Sequence, residues 1–380
     1  MQLIYLDYAA ATPVDERVLA AMTPYFSDKF YNPSSTYQPA LAVNQALQAA
    51  RASLAKWLGA KPNEIIFTAG GTEADNLAIH GVMRQFPKAN LIVSAIEHKA
   101  VLYPAAAYDC RIARVDNQGL VDLAKLEKLI DDKTVLVSII YANNEIGTLE
   151  PLKKIAPIIK QIRMDRLEKG NHLPLYFHSD ACQAPAYLDL QAARLGVDMM
   201  SLNGGKIYGP KQSGVLFVKA GTKLQPQILG GSQEFGLRAG TENVAASIGL
   251  AKALDLVQNN RTSEVTRLQK LQTEFFNFVQ TDLKKATING SIKNRLPNNL
   301  HITLPGQDNE RLLIQLEQAG ILAAAGSACS AAGGQPSHVL KAIGLSDADA
   351  ASSLRFSMGQ STTQQDIKHT IRALAQVIHN

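Results

Sequence analysis

Short apolar runs rich in β-branched residues alternate with segments of helical periodicity over roughly residues 15–255. The segments after Thr72 and after Lys99, and those at 121–130 and 152–167, predict helices. Strands are predicted at 65–68, 91–94, 135–141, 175–178 and 215–218. Strands joined through helices favour right-handed crossovers, so we expect an α/β fold with a mainly parallel central sheet and helices on both faces.

The pattern after residue 255 is different and indicates a small α+β domain. A long helix is predicted at about 264–283, and Thr363 with Asp366 caps a last helix that ends near residue 378. Between them the pattern predicts strands at 299–304 and 353–357 and helices at 309–318 and 337–343. We expect three parts, namely an N-terminal arm at 1–15 that packs with the small domain, a large domain at 16–255 and a small domain at 256–380.

Composition and charge limit the possible partners. The 380 residues are 46% hydrophobic and 19% charged, enough for a sizeable core. No apolar run approaches the roughly 18 residues of a membrane span. Asp7 and the turn at 9–13 interrupt the N-terminus before a secretory segment could form. The net charge of +5 comes without a Lys/Arg run and argues only weakly for an acidic partner. Without a membrane span or a basic run, we expect neither a membrane nor a nucleic acid as a direct partner.

The three cysteines are Cys110, Cys182 and Cys329. Their odd number, their wide spacing and the absence of a CxxC pair exclude a disulfide framework and a zinc ribbon, and no metal site is expected. This cysteine usage indicates a reduced, cytoplasmic protein. We expect Cys110 to precede a short strand as a core or edge residue, and Cys182 to pack between Asp180 and Gln183.

Two glycines follow the predicted strand at 65–68, and a helix is predicted to begin at Thr72. Backbone N–H groups and the helix dipole then converge where a phosphate could bind, with Gly71 and Thr72 as the candidate residues. The alternative is an ordinary turn between a strand and a helix, with a threonine cap. The spacing matches neither the dinucleotide-binding GxGxxG nor the P-loop, so nucleotide cofactors are disfavoured.

Asp180 and Lys206 are candidates for cofactor chemistry. An aspartate at the end of a buried strand needs a cation or hydrogen-bond donors, and a protonated pyridine nitrogen would serve. Its alternative role is to cap the following turn. Lys206 stands between a glycine pair and a Tyr-Gly-Pro turn, a setting that suits a Schiff-base lysine. Taken alone, such a lysine is more often a surface residue.

In that order, the phosphate turn, the strand-end aspartate and the later lysine resemble a fold-type I pyridoxal-phosphate enzyme. Ten segments, in order and approximate spacing, resemble the motifs of the cysteine desulfurase family, which belongs to the class-V aminotransferase group. They are 5–10, 32–35, 68–76, 97–100, 143–147, 180–183, 206–210, 240–243, 326–330 and 355–357. The resemblance implies the fold-type I transferase fold, pyridoxal 5'-phosphate as cofactor, L-cysteine as substrate, a sulfur-acceptor protein as partner and a homodimer.

The resemblance also implies roles for single residues around the cofactor ring. Lys206 falls where the family attaches the cofactor covalently, and Asp180 where it pairs with the ring nitrogen. Gln183 and Asn144 match residues that hydrogen-bond the phenolic oxygen, and Asn144 also matches a substrate contact. His98 matches the histidine that stacks on the ring and moves protons.

Further residues match the family's phosphate and substrate contacts. Gly71 and Thr72 match its phosphate cradle, and Thr241 matches a residue that reaches the phosphate from the other subunit. Arg355 matches the arginine that binds the substrate carboxylate, a task suited to its bidentate fork.

Cys329 differs from the other two cysteines. The twelve residues 323–334 are drawn only from Ala, Gly, Ser and Cys, which predicts a segment that is mobile in part. The alternative is close packing of small residues, with a strand at 321–325. The resemblance, to the group with the longer cysteine loop, implies that the Cys329 thiolate takes the substrate sulfur as a persulfide. The sulfur would then pass to acceptors for iron–sulfur clusters, other thio-cofactors or tRNA.

Several positions depart from the family pattern. Asn203-Gly-Gly205 precedes Lys206 where the family usually has Ser-Gly-His, so a histidine and a hydroxyl phosphate ligand are missing. Asn203 can still donate to phosphate, and we expect lower cofactor affinity in a divergent but active member. Phe235 stands where the family usually has arginine, and Tyr37 replaces a histidine.

Three other functions are considered. A selenocysteine lyase would use a similar site. A weakly active scaffold for sulfur assembly is suggested by Asn203 and Gly205. A plain aminotransferase is disfavoured because its chemistry requires no mobile cysteine.

Overall fold

A computed structural model describes residues 3–326 and 336–379 of the chain. The described part forms twelve strands, β1 Ile4–Tyr5, β2 Ile65–Thr68, β3 Asn90–Ser94, β4 Asp109–Ala113, β5 Thr134–Ser138, β6 Tyr176–Asp180, β7 Met199–Asn203, β8 Gly214–Val218, β9 Thr287–Ile288, β10 Asn299–Thr303, β11 Ile321–Leu322 and β12 Ser353–Ser357. Seven of them make the central sheet, in the order β2-β8-β7-β6-β5-β3-β4. β8 runs antiparallel to both neighbours, and the other pairs are parallel. The predicted α/β fold with a mainly parallel sheet is confirmed.

Helices surround this sheet and complete the smaller domain. They are α1 Glu16–Met22, α2 Gln38–Leu58, α3 Gly71–Met83, α4 Lys99–Ala105, α5 Leu123–Leu129, α6 Leu152–Glu168, α7 Ala192–Leu195, α8 Val244–Asp282, α9 Asn309–Gln318, α10 His338–Ala342, α11 Asp347–Ala351 and α12 Gln364–His379. Within the described ranges, no helix combines the length and the apolar character that crossing a membrane would need.

The central sheet is buried on both faces, which explains its continuous apolar strands. In β3, Ile92 packs into the core on one face, and Leu91 and Val93 pack into the core on the other. Because side chains alternate across a strand, a sheet with helices on both faces needs apolar residues at successive positions. The polar residues at the strand ends therefore stand out as candidates for a site.

The small domain is built on an antiparallel sheet of β9, β10 and β12. The N-terminal arm joins it, because β1 pairs in parallel with β11 and Leu6 lies in the same core as Phe275 and Phe356. The arm therefore approaches the rest of the chain along β12, the strand that carries Arg355.

α8 is one continuous helix of 39 residues that crosses residue 255. Val257 packs into the core of the large domain, and Leu268 packs into the core of the small one. The predicted helix at 264–283 covers only its second half. The reason is that residues 259–267 are mostly polar and lie between the two cores, so the apolar period is interrupted there.

Cys110 lies inside β4, at the edge of the sheet, and not before a strand as expected. The polar composition of β4 hid it from the pattern, because an edge strand is only partly covered. Cys110 is half-buried, and burial raises the pKa of its thiol to about 11.

Candidate active site

A cavity of about 230 Å³ lies at the carboxyl end of the central sheet. Asp180 ends β6 and Asn203 ends β7, and α3 follows β2 at the same edge. Ligands of open α/β sheets bind at such an edge because the loops after parallel strands meet there. Nine of the residues predicted from the sequence line this cavity, namely Gly71, Thr72, His98, Asn144, Asp180, Gln183, Asn203, Lys206 and Arg355.

The N-terminus of α3 forms an anion cradle. Gly70 precedes it at φ 131, in a region that favours glycine. The first N–H groups of a helix have no helical acceptor, so those of Gly71 and Thr72 can bind an anion. Gly71 has no room for a side chain, because a Cβ there would collide with Sγ of Cys182. Cys182 is half-buried and packs against the cradle, as expected, but it also lines the cavity there.

Asp180 provides a carboxylate at the end of β6 and is 5% exposed. It accepts the N–H of Cys182 at 2.9 Å. Asp75 also lines the cavity, is 1% exposed, and burial, followed by the charge of Asp180, raises its pKa well above the usual range. His178 lies 3.6 Å from Asp75, and burial lowers the pKa of this histidine to about 4. Both shifts favour the neutral form, and with a pKa of about 4 His178 carries no charge beside Asp180 at neutral pH.

Lys206 projects from the turn after β7, and its Nζ donates to the carbonyl of Ala10 at 2.5 Å. The preceding turn is closed by Asn203, whose Oδ1 accepts the N–H of Gly205 at 3.0 Å. The amide of Asn203 stands beside the cradle, since a Cβ on Gly71 would lie 3.5 Å from Asn203 Nδ2. The geometry thus leaves the Asn203 amide as a hydrogen-bond donor beside the cradle.

His98 caps α4 and lines the cavity. Its Nδ1 accepts the N–H of Ala100 at 3.1 Å, so the neutral ring carries its hydrogen on Nε2. Burial lowers the pKa of His98 from its ordinary value of 6.5. At neutral pH the histidine is therefore an uncharged ring with a donor at Nε2.

Arg355 brings a buried positive charge to the cavity from β12 and is 1% exposed. Its Nη1 donates to the carbonyl of Asn144 at 3.0 Å, and its Nη2 donates to Oδ1 of Asp7 at 2.5 Å. Nε has no hydrogen-bond partner within the described ranges. A buried N–H without an acceptor suits a ligand that carries a carboxylate.

The contribution of the arm could not be predicted from the sequence. Ala9 and Ala10 line the cavity, and the carbonyl of Ala9 accepts a hydrogen bond of 2.9 Å from Nε2 of Gln183. These contacts come from the backbone, so the side chains carried no signal for them. Asp75 was missed as well, although its position three residues after Thr72 places it one helical turn along the same face.

Three predicted residues do not line this cavity. Gly205 stands beside it through its backbone. Thr241 is exposed, and its neighbours Gly240 and Glu242 line a separate cavity of about 220 Å³. Cys329 lies outside the described residues.

Phe235, one of the departures from the family pattern, has a clear packing role. It adopts φ 58 and is 56% exposed. The guanidinium of Arg51 lies 5.1 Å from its ring centroid and 4.7 Å from that of Phe67, and it forms two hydrogen bonds of 2.7 Å to Glu234. An aromatic ring suits this place beside a buried cation.

Comparison with known proteins supports a relationship along nearly the whole chain. The family model for class-V aminotransferases matches residues 4–369. The chain is similar to a cysteine desulfurase IscS of Dictyoglomus turgidum, at 40% identity over 99% of this chain and 94% of that protein. Cysteine desulfurase IscS 1 of Archaeoglobus fulgidus is 37% identical, over 98% of this chain and 96% of the relative.

Solved structures agree with this relationship. A NifS-like protein superposes with a TM-score of 0.90 at 30% identity, over 100% of both chains. The NifS-like protein from Rickettsia africae gives a TM-score of 0.86 at 32% identity, also over 100% of both chains. A structure described as SspA in complex with cysteine gives 0.80 at 34% identity, over 93% of this chain and 98% of the other.

Proposed function

The chain belongs to the class-V aminotransferase family as one of its pyridoxal-phosphate-dependent cysteine desulfurases, and on that premise we propose how its own residues release sulfur from L-cysteine. The observation that carries the proposal is the single cavity that joins an anion cradle, a buried carboxylate, a lysine amine and a buried arginine. The products are L-alanine and a sulfur atom that is passed on.

The residues of the cavity fit the cofactor. The cradle at Gly71 and Thr72, assisted by the Asn203 amide, would hold its phosphate, and Asp180 would hold the proton on its ring nitrogen. Gln183 and Asn144 stand at the same cavity as donors for its phenolic oxygen. When bound, the cofactor supplies an aldehyde that condenses with amines and a ring that withdraws electrons from the substrate α-carbon.

Lys206 and His98 would move the protons. The Lys206 amine would hold the cofactor and, with L-cysteine bound, would take the proton from the substrate Cα at Nζ and return it to that carbon as L-alanine forms. Loss of sulfur leaves a β-carbon that must gain a proton to become the methyl group of alanine. His98 lines this cavity with its hydrogen on Nε2 and would pass a proton from Nε2 to that carbon.

Arg355 would orient L-cysteine by its carboxylate. Its Nε–H has no partner among the described residues, and in this buried place a negatively charged acceptor would satisfy it. With the carboxylate held there and the amine directed toward Lys206, the side-chain sulfur remains the group accessible to a nucleophile.

Cys329 is the proposed sulfur acceptor. Its thiolate attacks the substrate Sγ, the bond between Sγ and Cβ breaks, its electron pair stays on Cβ, and the new S–S bond is a cysteine persulfide. The other two thiols are poor candidates, because burial raises the pKa of Cys110 to about 11 and that of Cys182 well above its ordinary value. The persulfide sulfur would pass to an acceptor protein for iron–sulfur clusters, other thio-cofactors or tRNA.

A homodimer and a cytoplasmic location are part of the same proposal. Thr241 is exposed and apart from the cavity of its own chain, as a residue that serves a second subunit would be. Exposed apolar side chains such as Phe30 and Leu229 would be covered in a dimer. The free thiols of Cys110 and Cys182 suit a reducing compartment. Sedimentation velocity should give twice the mass of the chain, and a monomer at micromolar concentration would contradict the dimer.

The test is the release of alanine and persulfide from L-cysteine by the purified protein, with and without added pyridoxal phosphate. Cys329→Ala should keep the visible absorbance of the bound cofactor and lose alanine formation by about 100-fold or more, as expected for a lost nucleophile. Cys110→Ala is the matched control and should behave as wild type. Normal turnover by Cys329→Ala would refute its role.

The same assay separates the alternatives. Turnover of L-selenocysteine but not of L-cysteine would indicate a selenocysteine lyase. Protein that neither binds the cofactor nor changes its absorbance with L-cysteine would indicate a scaffold.

A further inference from the structure

The segment 7–12 of the arm touches four of the functional groups around the cavity. The contacts are Asp7 with Arg355, Ala9 with Gln183, Ala10 with Lys206 and Thr12 with Gly205. Of these four arm residues, Asp7 alone brings a charge to the cavity residues, and the function proposed above assigns it no role.

Among the residues that the structure describes, Asp7 is the one that forms an ion pair with Arg355. Arg355 is almost completely buried, whereas the side chain of Asp7 is 20% exposed. Across the sheet, His301 opposes Arg355, and burial lowers the pKa of this histidine to about 3, so it stays neutral. A buried charge that loses its partner is strongly destabilising, and Arg355 therefore depends on Asp7 while no substrate is bound.

Among the described residues, the guanidinium of Arg355 has one N–H group, on Nε, that no acceptor contacts. Asn144 takes Nη1 and Asp7 takes Nη2, but Asp7 makes no contact with Nε. The Nε–H and the Nη2 hydrogen on the same side of the guanidinium form a planar fork, and Asp7 leaves the Nε–H of that fork open. Such a fork accepts the two oxygens of one carboxylate.

The arm and the arginine are also held together through the backbone. The N–H of Ser357 donates to the carbonyl of Leu6 at 2.7 Å, and the N–H of Tyr8 donates to the carbonyl of Ser357 at 3.2 Å. Ser357 lies two residues beyond Arg355 on the same strand. Asp7 is therefore fixed to the strand that carries the arginine.

We propose that Asp7 is a positioning residue, which holds the guanidinium of Arg355 so that its Nε–H and Nη2–H fork faces the carboxylate of the substrate. This role rests on the proposed function of the cavity. Asp7 acts through Arg355 and does not touch the substrate. Its removal should weaken binding of molecules that carry the carboxylate and leave binding of amines without it unchanged.

The experiment compares L-alanine with ethylamine, which differs from alanine only in lacking the carboxylate. Binding of both to the cofactor-loaded enzyme is followed through the visible absorbance of the cofactor. Asp7→Asn should weaken L-alanine binding about 10-fold, as expected for a lost charge-assisted contact, and leave ethylamine binding within about two-fold. In turnover, KM for L-cysteine should rise by a similar factor while kcat changes little.

Asp15→Asn is the matched control, because it breaks an ion pair of 2.7 Å with Arg17 on the same arm without approaching the cavity. This variant should leave the binding of both L-alanine and ethylamine unchanged. Asp7→Glu keeps the charge and should recover part of the L-alanine affinity.

Equal weakening for both ligands, or no weakening, would overturn the proposal. If both Asp7 variants lose cooperative unfolding, Asp7 belongs to the fold and the proposal also fails. The binding measurement needs no desulfurisation, so its outcome is independent of whether L-cysteine is turned over.

Discussion

The cavity has two sides of different construction. On the proposed cofactor side, Asp180 ends one strand of a single sheet and Lys206 follows another. On the proposed carboxylate side, the residues come from the small domain, the arm and the large domain, namely Arg355, Asp7 and Asn144. Each residue of the first side is placed by the strand before it. Each residue of the second side is placed by contacts between parts that are distant in sequence.

This difference separates two kinds of dependence. The cofactor side relies on short turns with no spare room, such as Gly71 against Cys182, so changes there should act on cofactor binding and chemistry. The carboxylate side relies on how three parts pack together, so changes there should act on substrate affinity. Variants on the two sides can therefore be told apart by what they alter.

The largest effect is expected for Lys206→Ala on the cofactor side. Loss of the amine would remove both the proposed covalent hold on the cofactor and the proposed base, so alanine formation should fall about 10,000-fold. The absorbance of the bound cofactor, recorded before and after gel filtration, should shift and weaken. Lys211→Ala, an exposed lysine in the same segment, should leave both unchanged. Turnover within ten-fold of wild type in Lys206→Ala would contradict this.

His98→Gln should lower kcat about 100-fold, the range expected for a lost proton donor. Burial lowers the pKa of His98, so its neutral form contributes fully above pH 6.5 and is lost as the pH falls through the lowered value. The wild type should lose kcat/KM on that acid side as the ring becomes charged and Nδ1 no longer accepts the N–H of Ala100.

A pH profile of kcat/KM tests this, and the acid limb should disappear in His98→Gln. His172→Gln, on the exposed surface of the large domain, is the control. If the acid limb persisted unchanged in His98→Gln, a group other than His98 would be its cause.

Arg355→Lys should weaken binding of L-cysteine and leave cofactor binding unchanged. Lysine keeps the charge but not the planar fork, so KM for L-cysteine should rise about 30-fold, while the cofactor absorbance stays as in wild type. Stopped-flow and steady-state measurements of L-cysteine binding check this. Release of the cofactor by Arg355→Lys would show that the two sides are not independent, and the comparison would fail.

Much of the fold and of the cofactor side could be predicted from local patterns. The strand at 65–68 and the helix at 309–318 have the bounds that the apolar period indicated. Where the period was interrupted, prediction failed. Residues 259–267 are polar because they pass between two cores, and this hid the continuity of α8.

The N-terminal arm makes contacts that local sequence patterns could not predict. Asp7 was visible only as part of a motif, and nothing in its neighbourhood indicated a partner 348 residues away. The carbonyls of Ala9 and Ala10 carry no residue-specific signal, because every residue has one.

The sequence by itself determined the α/β class, the turn at Gly71, and the candidates Asp180 and Lys206, since each depends on residues that are near one another along the chain. Only the tertiary structure decided that Cys182 lies under the cradle, that Asp7 pairs with Arg355, and that one helix joins the two cores. These features arise from contacts between distant segments, and such contacts depend on how whole elements pack.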